Sequence, residues 1–274
     1  MLPGVYQAKK KDGTIYYRSS ITYQGKHISL GSYATEAGAH QAYLAATTLL
    51  DSAAVDEDAY SSYSGVLSFD KIVTLINFRD NHMYIPTPIY LRKNYFSYYL
   101  DPSTELKFDI DDLFYYSSHR ILRRQGHLYV NDYGMQVTIL SRYGIKNHAV
   151  CGRDFLFVNG DETDFRYSNI QVINPYYGVL RYEKNGKIRY RVKIHINGDF
   201  TVGSYREEIR AAVAYNKAAD LAKQAGIQKN FPQNYIEELS GSAYADIYTS
   251  IKIAKRYLEF LETIKKSNMS TISG

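Results

Sequence analysis

The sequence predicts an α+β fold with two small modules of the same kind, one towards each end, each a three-stranded antiparallel sheet packed on one helix. Three observations support this. Asp12-Gly13 and Asn185-Gly186 are strong hairpin signals between runs rich in Tyr, Ile and Val. An alanine-rich segment with apolar residues at helical intervals follows each hairpin. Both segments also read Gly-Val and then Gly-Ser-Tyr in the same order, which indicates a repeat.

The elements of the two modules follow in the same order along the chain. The first module is predicted in 1–50 with its helix from Thr35 to Leu50, and the second in 175–235 with its helix from Arg206 to Lys223. Twelve positions separate the Gly of Gly-Ser-Tyr from a helical tyrosine in both cases, Gly31 from Tyr43 and Gly203 from Tyr215. Agreement in residue types and in spacing predicts one fold used twice.

Alternation along the second strand of the second module separates apolar from basic side chains. Successive strand residues point to opposite faces, so one face holds Tyr190, Val192 and Ile194 and the other holds Arg189, Arg191 and Lys193. We expect the apolar face to pack on the helix and the basic face to be outward. A narrow, basic β element of this kind can enter the major groove of DNA.

Charge is distributed unevenly along the chain. Residues 1–50 hold 5 Lys/Arg and 2 Asp/Glu, residues 51–174 hold 12 and 16, and residues 175–274 hold 16 and 10, so the net charges are +3, −4 and +6. Basic ends indicate a polyanion binder, because neutralised phosphates release counterions. Hydrophobic residues make up 45% and charged residues 22%, which is typical of folded globular proteins.

The composition argues against a membrane-targeting segment and against cysteine-based structural sites. No apolar run approaches the roughly 20 residues that span a bilayer, and the first residues lack a signal-peptide core, so we expect no membrane partner. A single cysteine, Cys151, excludes an internal disulfide framework and a cysteine-based zinc site. We expect Cys151 to be a buried core residue.

Both ends resemble the Apetala2/ERF DNA-binding domain of plant regulators and phage homing endonucleases. The shared features are Gly-Val, a Tyr-x-x-x-Ile strand starting at Tyr17 and Tyr190, a Leu/Val-Gly-x-Tyr turn, an Ala-x-x-Ala-Tyr helix and, in the second module, the closing Asn230-Phe231-Pro232. Tyr17 and Tyr190 stand where that family commonly has Trp. The resemblance implies that outward strand residues contact double-stranded DNA. In the second module these would be Arg181, Lys187, Arg189, Arg191, Lys193 and Thr201, and in the first Lys9, Lys10, Tyr16, Arg18, Ser20, His27 and Ser29.

An acidic, polar stretch at 51–66 predicts a linker, and the segment 67–174 follows it. The stretch FLFVNGDETDFRYSNIQVIN resembles the second half of the HNH homing-endonuclease motif, which implies a ββα middle domain. Gly160, Asp161, Thr163, Asp164, Arg166, Asn169 and Ile170 are in register with that motif.

The residues that HNH chemistry requires are missing from this register. The family needs a His general base and further His or Asn side chains to hold a divalent cation. Phe157 stands where the metal-side His belongs and Phe165 where the central Asn belongs, and no His lies near the expected base position, Thr138 to Ser141. We therefore expect no catalytic residue, no metal and no other cofactor. Asn169 is expected to cap or staple the short helix instead of binding metal.

Other polar residues and the C-terminal segment carry weaker signals. His119, His127 and His148 and the carboxylates of Asp109, Asp111 and Asp112 match no metal-ligand spacing. Arg120, Arg123 and Arg124 form a local cluster for which a phosphate contact and an ion-paired surface are both open. The segment 236–274 is predicted to hold one amphipathic helix, Ser242 to Lys266, packed on the body or serving as a homodimer contact.

Three functions are consistent with these observations. The leading hypothesis is a non-catalytic double-stranded DNA-binding protein, a phage or mobile-element regulator derived from a homing endonuclease and acting in the bacterial host cytoplasm or nucleoid. The second is an anti-defence or host-takeover protein that inhibits a host nuclease or regulator by protein contact, for which the 29 tyrosines are suitable interface residues. The third is an active magnesium-dependent HNH endonuclease, which Phe157 and Phe165 disfavour.

Overall fold

The structure, a computed structural model, describes residues 1–52 and 65–272 of the chain. The fold is α+β, with several small antiparallel sheets and six α-helices in the described ranges. Contacts group the residues into two compact units. The first unit holds Met1–Ile139 and Phe157–Ile170, and the second holds Leu140–Leu156 and Gln171–Gly274.

The first unit begins with a three-stranded antiparallel sheet, which we call the first sheet. Its strands are β1 (Val5–Lys9), β2 (Ile15–Tyr23) and β3 (Lys26–Tyr33), in spatial order β1-β2-β3, and helix α1 (Glu36–Asp51) packs on it. The helix begins where the side chain of Thr35 accepts a hydrogen bond of 3.1 Å from the Gly38 N–H. This start agrees with the sequence prediction, because Thr is a favoured N-cap residue.

The chain then forms shorter elements. They are helix α2 (Phe69–Asn81), the sheet of β4 (Ile89–Leu91), β5 (Tyr95–Asp101) and β6 (Thr104–Asp109), helix α3 (Leu113–Ser118), the sheet of β7 (Leu122–Arg124), β8 (His127–Asp132) and β9 (Met135–Thr138), and the two-stranded sheet of β10 (Phe155–Phe157) and β11 (Ile170–Val172).

The first sheet, α1 and α2 share one hydrophobic core. Ile28 of β3, Leu49 of α1 and Ile72 and Leu75 of α2 are all buried in a single cluster. The guanidinium of Arg79, near the end of α2, donates a hydrogen bond of 2.9 Å to the Leu49 carbonyl. The start of the predicted middle segment is therefore part of the same packed body as the first module.

The compact units and the predicted segments divide the chain differently. Within 67–174, residues up to 139 and 157–170 belong to the first unit, whereas 140–156 belong to the second. Residues 53–64 of the predicted linker lie outside the described residues.

The second unit is built on another three-stranded antiparallel sheet, which we call the second sheet. Its strands are β12 (Val179–Lys184), β13 (Lys187–His195) and β14 (Asp199–Tyr205), and helices α4 (Glu208–Gln224), α5 (Gly241–Ser250) and α6 (Lys255–Ile272) follow. Val192 and Ile194 of β13 are buried in one cluster with alanines of α4 and with Tyr257 and Leu261 of α6. The small alanine side chains let α4 lie close to the sheet.

The segment from Ser242 to Lys266, predicted as one amphipathic helix, forms two helices. The helical backbone is interrupted between Ile251 and Ala254, where Ile251 is buried and the Ala254 N–H donates a 2.8 Å hydrogen bond to the Val202 carbonyl of β14. The prediction of a single helix was wrong because apolar periodicity does not report a backbone hydrogen bond to a distant strand.

Both predicted hairpin turns are present, with different geometries. Asn185 and Gly186 have φ values of 53° and 69°, as a two-residue type I′ turn requires. In the first sheet, Gly13 has a φ of 91° and the Asp12 carboxylate accepts a 2.9 Å hydrogen bond from the Thr14 N–H, within a longer loop. This loop, 11–13, is one residue longer than the loop 185–186 of the second sheet, and the strand pairing that follows is the same.

The two sheets share a close contact with their helices at the start of the first strand. Gly4 and Gly178 have φ values of 73° and 68°, and a Cβ atom there would lie 2.1 Å from the Tyr43 ring and 2.2 Å from the Tyr215 ring. Only glycine fits a position that combines a left-handed backbone with such an approach. The Gly-Val and helical Tyr landmarks of the sequence repeat are therefore packing partners.

The two sheets also share a β-bulge, which sequence analysis missed. The register shifts between Ser19 and Ser20 in the first sheet and between Val192 and Lys193 in the second. Leu30 and Val202 of the third strands are left without a cross-strand partner, and both are buried. The bulge adds an inward apolar side chain to each core.

Candidate nucleic-acid interface

The outward face of the second sheet is defined by cross-strand pairing. Residues opposite one another in an antiparallel pair lie on the same face. Tyr182 pairs with Arg189, Arg191 pairs with Ser204, and Lys193 pairs with Thr201. The complete set on this face, which we call the basic face, is Leu180, Tyr182, Lys184, Lys187, Arg189, Arg191, Lys193, His195, Asp199, Thr201 and Ser204.

Tyr182 and Arg191 form the centre of the basic face. The Arg191 guanidinium carbon lies 4.6 Å from the centroid of the Tyr182 ring, and the Tyr182 and Ser204 hydroxyl oxygens are 2.7 Å apart. The hydrogen bond with Ser204, and then the Arg191 guanidinium, lower the pKa of the Tyr182 phenol. The three strands are thus linked by side chains on the exposed side of the sheet.

Three cations surround a concave part of the basic face. Lys184, Lys187 and Arg189 line it together with Tyr182 and other polar groups, and its volume is about 480 Å³. None of these three cations makes an ion pair with another residue in the part of the chain that the structure describes. Their charge is available to an anion from outside the chain.

One end of the basic face is partly neutralised. The Asp199 carboxylate lies 2.9 Å from His195 Nδ1 and 3.6 Å from Lys193 Nζ. These two groups, His195 first, hold the pKa of Asp199 below its usual range. Five Lys and Arg side chains against one carboxylate still leave the face strongly positive.

The outward face of the first sheet has the same pairing but less charge. Arg18 takes the position of Arg191 and donates a 2.9 Å hydrogen bond from Nη2 to the Tyr16 hydroxyl. Thr22 and His27 pair across β2 and β3, with Oγ1 and Nδ1 3.5 Å apart. Lys10 and Arg18 are the Lys and Arg residues on this face among the described residues, and the rest are tyrosines, small side chains and His27.

Two predicted outward residues lie on the other face, so their assignment was wrong. Arg181 pairs with Tyr190, and Lys9 pairs with Ile15, both on the helix side of their sheets. Burial raises the pKa of Glu208, and the charge of Arg181 partly offsets that effect, as expected for a side chain that faces the start of α4. The face of a residue on the first strand depends on the pairing across the turn, which alternation along the second strand does not report.

A third predicted contact is too buried to reach DNA. Ser20 is on the outward face, but only 7% of it is exposed. The remaining predicted contacts on the outward faces are Lys10, Tyr16, Arg18, His27, Ser29, Lys187, Arg189, Arg191, Lys193 and Thr201.

Tyr182, Lys184 and Ser204 of the basic face are not among the predicted contacts. The signal for the first two was available in the Asn185-Gly186 turn. A two-residue turn makes Lys184 and Lys187 partners, which places Tyr182 opposite Arg189. Ser204 follows only when the bulge in β14 is known.

The stretch predicted to resemble an HNH motif holds an aromatic cluster at the two positions where polar ligands would be expected. Phe165 is 5% exposed, stacks on Phe108 with ring centroids 5.5 Å apart and meets Phe157 edge-on at 5.6 Å. Phenyl rings neither accept a proton nor bind a metal. These two positions therefore contribute to packing in the first unit.

Asn169 fixes the loop of this stretch. Its Nδ2 donates to the carbonyls of Asp161 and Asp164 at 3.2 and 2.8 Å, and its Oδ1 accepts a 2.8 Å bond from the Asn159 N–H. These bonds hold the preceding loop, whereas Asn169 was predicted to cap or staple the short helix. The expected short helix is a single 3₁₀ turn, Tyr167–Asn169, and strand β11 follows it.

The segment where the HNH general base was expected consists of the end of β9 and a 3₁₀ helix, Ile139–Tyr143. His119 stacks on the Tyr115 ring at 4.2 Å and lies 3.5 Å from the Asp132 carboxylate. His127 and His148 are exposed. Across residues 1–52 and 65–272, no group of three or more His, Cys, Asp or Glu side chains is placed to hold a metal ion.

Two arginines of the predicted cluster are ion-paired. Arg120 pairs with Asp70, and the Arg123 guanidinium lies 3.2 Å from the Asp101 carboxylate. The alternative of an ion-paired surface therefore describes these two residues. Cys151 is exposed, so its prediction as a buried core residue was wrong.

Comparisons of this chain with protein-family models, with curated proteins and with solved structures found no match. Within the described residues, no helix has both the length and the apolar composition that crossing a membrane requires.

Proposed function

We propose that the chain is a non-catalytic protein that binds double-stranded DNA, chiefly through the basic face of the second sheet. The observation that carries this proposal is the cluster of cations around Tyr182, of which Lys184 and Lys187 are exposed, Arg189 is half-buried, and all three lack an ion-pair partner among the described residues. A sheet surface that stays unneutralised within its own chain is suited to an external polyanion.

The chemistry of the basic face favours nucleic acid over other polyanions. Arg189 and Arg191 carry planar guanidinium groups, which can bind a guanine edge or a phosphate in bidentate fashion. Lys184 and Lys187 are suited to phosphate contacts. The Tyr182 ring packs against the Arg191 guanidinium and limits the conformational freedom of that side chain. The Arg191 side chain therefore loses less entropy on binding.

The two sheets contribute unequally in this proposal. The outward face of the first sheet holds Lys10 and Arg18 with tyrosine and hydroxyl groups, so it supplies a weak contact of its own. Two weak or unequal contacts in one chain raise the overall affinity through effective concentration. We also propose that both sheets are similar to Apetala2/ERF domains. We propose that the protein originates from a phage or mobile element and acts in the host cytoplasm.

Equivalent arginines of the two sheets test the unequal contribution. We expect Arg191→Ala to weaken binding of a duplex by about tenfold and Arg18→Ala by about twofold or less, because Arg191 has cationic neighbours that jointly hold the phosphate backbone. Fluorescence anisotropy with a labelled duplex at fixed salt measures both affinities. Equal losses, or a larger loss for Arg18→Ala, would contradict the assignment of the second sheet as the main contact.

A further inference from the structure

A second basic surface lies beside the basic face within the second unit. A groove of about 440 Å³ has one wall formed by the loop 146–153 and the other by residues of the second sheet. Lys146, His148 and Arg153 line it from the loop, and Lys193 and His195 line it from β13. Because Lys193 and His195 also belong to the basic face, the groove and the face are continuous.

The loop is fixed to the sheet by two buried polar side chains. Asn174 Nδ2 donates to Asp154 Oδ1 at 3.2 Å and to the Arg153 carbonyl at 2.8 Å, while its Oδ1 accepts a 2.7 Å bond from the Arg181 N–H of β12. Asp154 Oδ2 also accepts a 2.8 Å bond from the Val150 N–H. Asp154 and Asn174 are each 7% exposed, so these bonds are shielded from water. The loop is held in place before any ligand arrives.

Asp154 and Asn174, which we call the anchor, hold the loop, and the Asp154 carboxylate already has hydrogen-bond partners within the chain. Burial opposes ionisation of Asp154, but hydrogen bonds from Arg153, Val150 and Asn174 outweigh burial and hold its pKa below the usual range. Arg153 donates hydrogen bonds from Nε and Nη2 to the Asp154 carboxylate, and its Nη1 makes no bond to that carboxylate. The side chain of Arg153 is 55% exposed, so its guanidinium edge is accessible to a ligand.

The charges that line the groove favour an anion. Lys146, Arg153 and Lys193 supply three positive charges. The carboxylates of Asp154 and Asp199 also line the groove, Asp154 paired with Arg153 and Asp199 with His195 and Lys193, so three cations and two carboxylates leave a net charge of +1. Lys146 Nζ lies 5.0 Å from the centroid of the Tyr177 ring and makes no ion pair within residues 1–52 and 65–272.

We propose that this groove holds a backbone phosphate of the DNA bound on the basic face, with Lys146, Arg153 and Lys193 as its contacts. This inference rests on the proposed function. The loop that contributes Lys146 and Arg153 precedes the second module in the chain and is not part of the three-stranded sheet. It extends the DNA interface beyond the sheet by one phosphate position.

The salt dependence of binding tests the groove. Each phosphate contact contributes about 0.9 to the slope of log K against log salt. We expect Lys146→Ala to lower this slope by about 1 and to weaken duplex binding about fivefold at about 0.1 M salt. Lys146→Ala leaves the anchor formed by Asp154 and Asn174 intact, so a loss of folding does not explain the change. Lys255→Ala is the control, since its side chain is 90% exposed on α6 and it removes the same charge.

The outcomes separate this inference from the proposed function. An unchanged slope for Lys146→Ala, with strong binding by the wild-type chain, would overturn the groove alone. Absence of duplex binding by the wild-type chain would overturn both. Inorganic phosphate is the probe for a free anion. At matched ionic strength, phosphate could raise the melting temperature of the wild type but not of Lys146→Ala, while the slope of log K against log salt for DNA is equal in both. In that case the groove binds free phosphate, and the inference is wrong.

Discussion

Replacement of Arg189 and Arg191 together with alanine is expected to lower the affinity for duplex DNA by about 100-fold at low salt. The two side chains project from one strand to the same face, on either side of Tyr190, which is partly buried against the core on the other face. Their removal eliminates both guanidinium groups of the basic face and leaves three lysines there, Lys184, Lys187 and Lys193. Anisotropy titrations with a duplex of random sequence measure the loss.

A matched control separates the position of the charge from its amount. Lys255→Ala with Arg256→Ala also removes two positive charges, but both side chains are exposed at the start of α6. This helix packs on the opposite side of the second sheet, where Phe260 stacks on Phe200 with ring centroids 4.1 Å apart. Equal losses in the two double variants would show that the total charge matters and not the basic face.

Gly178→Ala is expected to destabilise the second unit by about 3 kcal/mol or more. The backbone there has a φ of 68°, and a Cβ atom would lie 2.4 Å from the Lys193 carbonyl and 2.2 Å from the Tyr215 ring. A backbone carbonyl within the sheet cannot move without breaking the ladder, so the clash is not relieved by a change of rotamer. Denaturant unfolding followed by circular dichroism measures the loss of free energy.

Gly186→Ala is the control for Gly178→Ala. Gly186 has nearly the same φ, 69°, but no atom lies within 4 Å of the position that a Cβ would take. Its substitution adds only the backbone strain of a left-handed residue, about 1 kcal/mol. If both variants were destabilised by the same amount, the close packing between the first strand and α4 would be refuted.

The hairpins and helices of the two sheets could be predicted because their signals are local. Asn185-Gly186 specifies a turn through its backbone preferences, and Thr35 specifies a helix start through its side-chain oxygen. The Gly178 and Tyr215 landmarks were found as a repeat, although their contact is apparent only in the structure. Local chemistry and repetition therefore gave most of the architecture of each sheet.

The remaining features depend on contacts between distant parts of the chain. The bulge at Val202 is a property of strand pairing, so alternation within one strand does not reveal it. The break at Ile251 depends on a hydrogen bond from Ala254 to β14. The hydrophobic core shared by α2 and the first sheet depends on which apolar faces pack together.

The candidate site was predicted in part for the same reason. Arg189, Arg191 and Lys193 are on one strand, and a period of two places them on one face without further information. Arg181 is on a neighbouring strand, and its face depends on the pairing across the turn. Lys146 and Arg153 are distant in sequence from β13 and join its surface only through the anchor at Asn174.

The central claim is that the chain binds duplex DNA without cutting it, and one gel-shift experiment tests it most directly. Purified protein is titrated onto duplex DNA of random sequence across a salt series with magnesium present, and retardation and cleavage are scored in the same lanes. We predict retardation that weakens steeply with salt and leaves the DNA intact, because several cations of the basic face release counterions on binding. Cleavage would contradict the non-catalytic assignment, and no retardation at low salt would contradict DNA binding and favour the hypothesis of a protein partner.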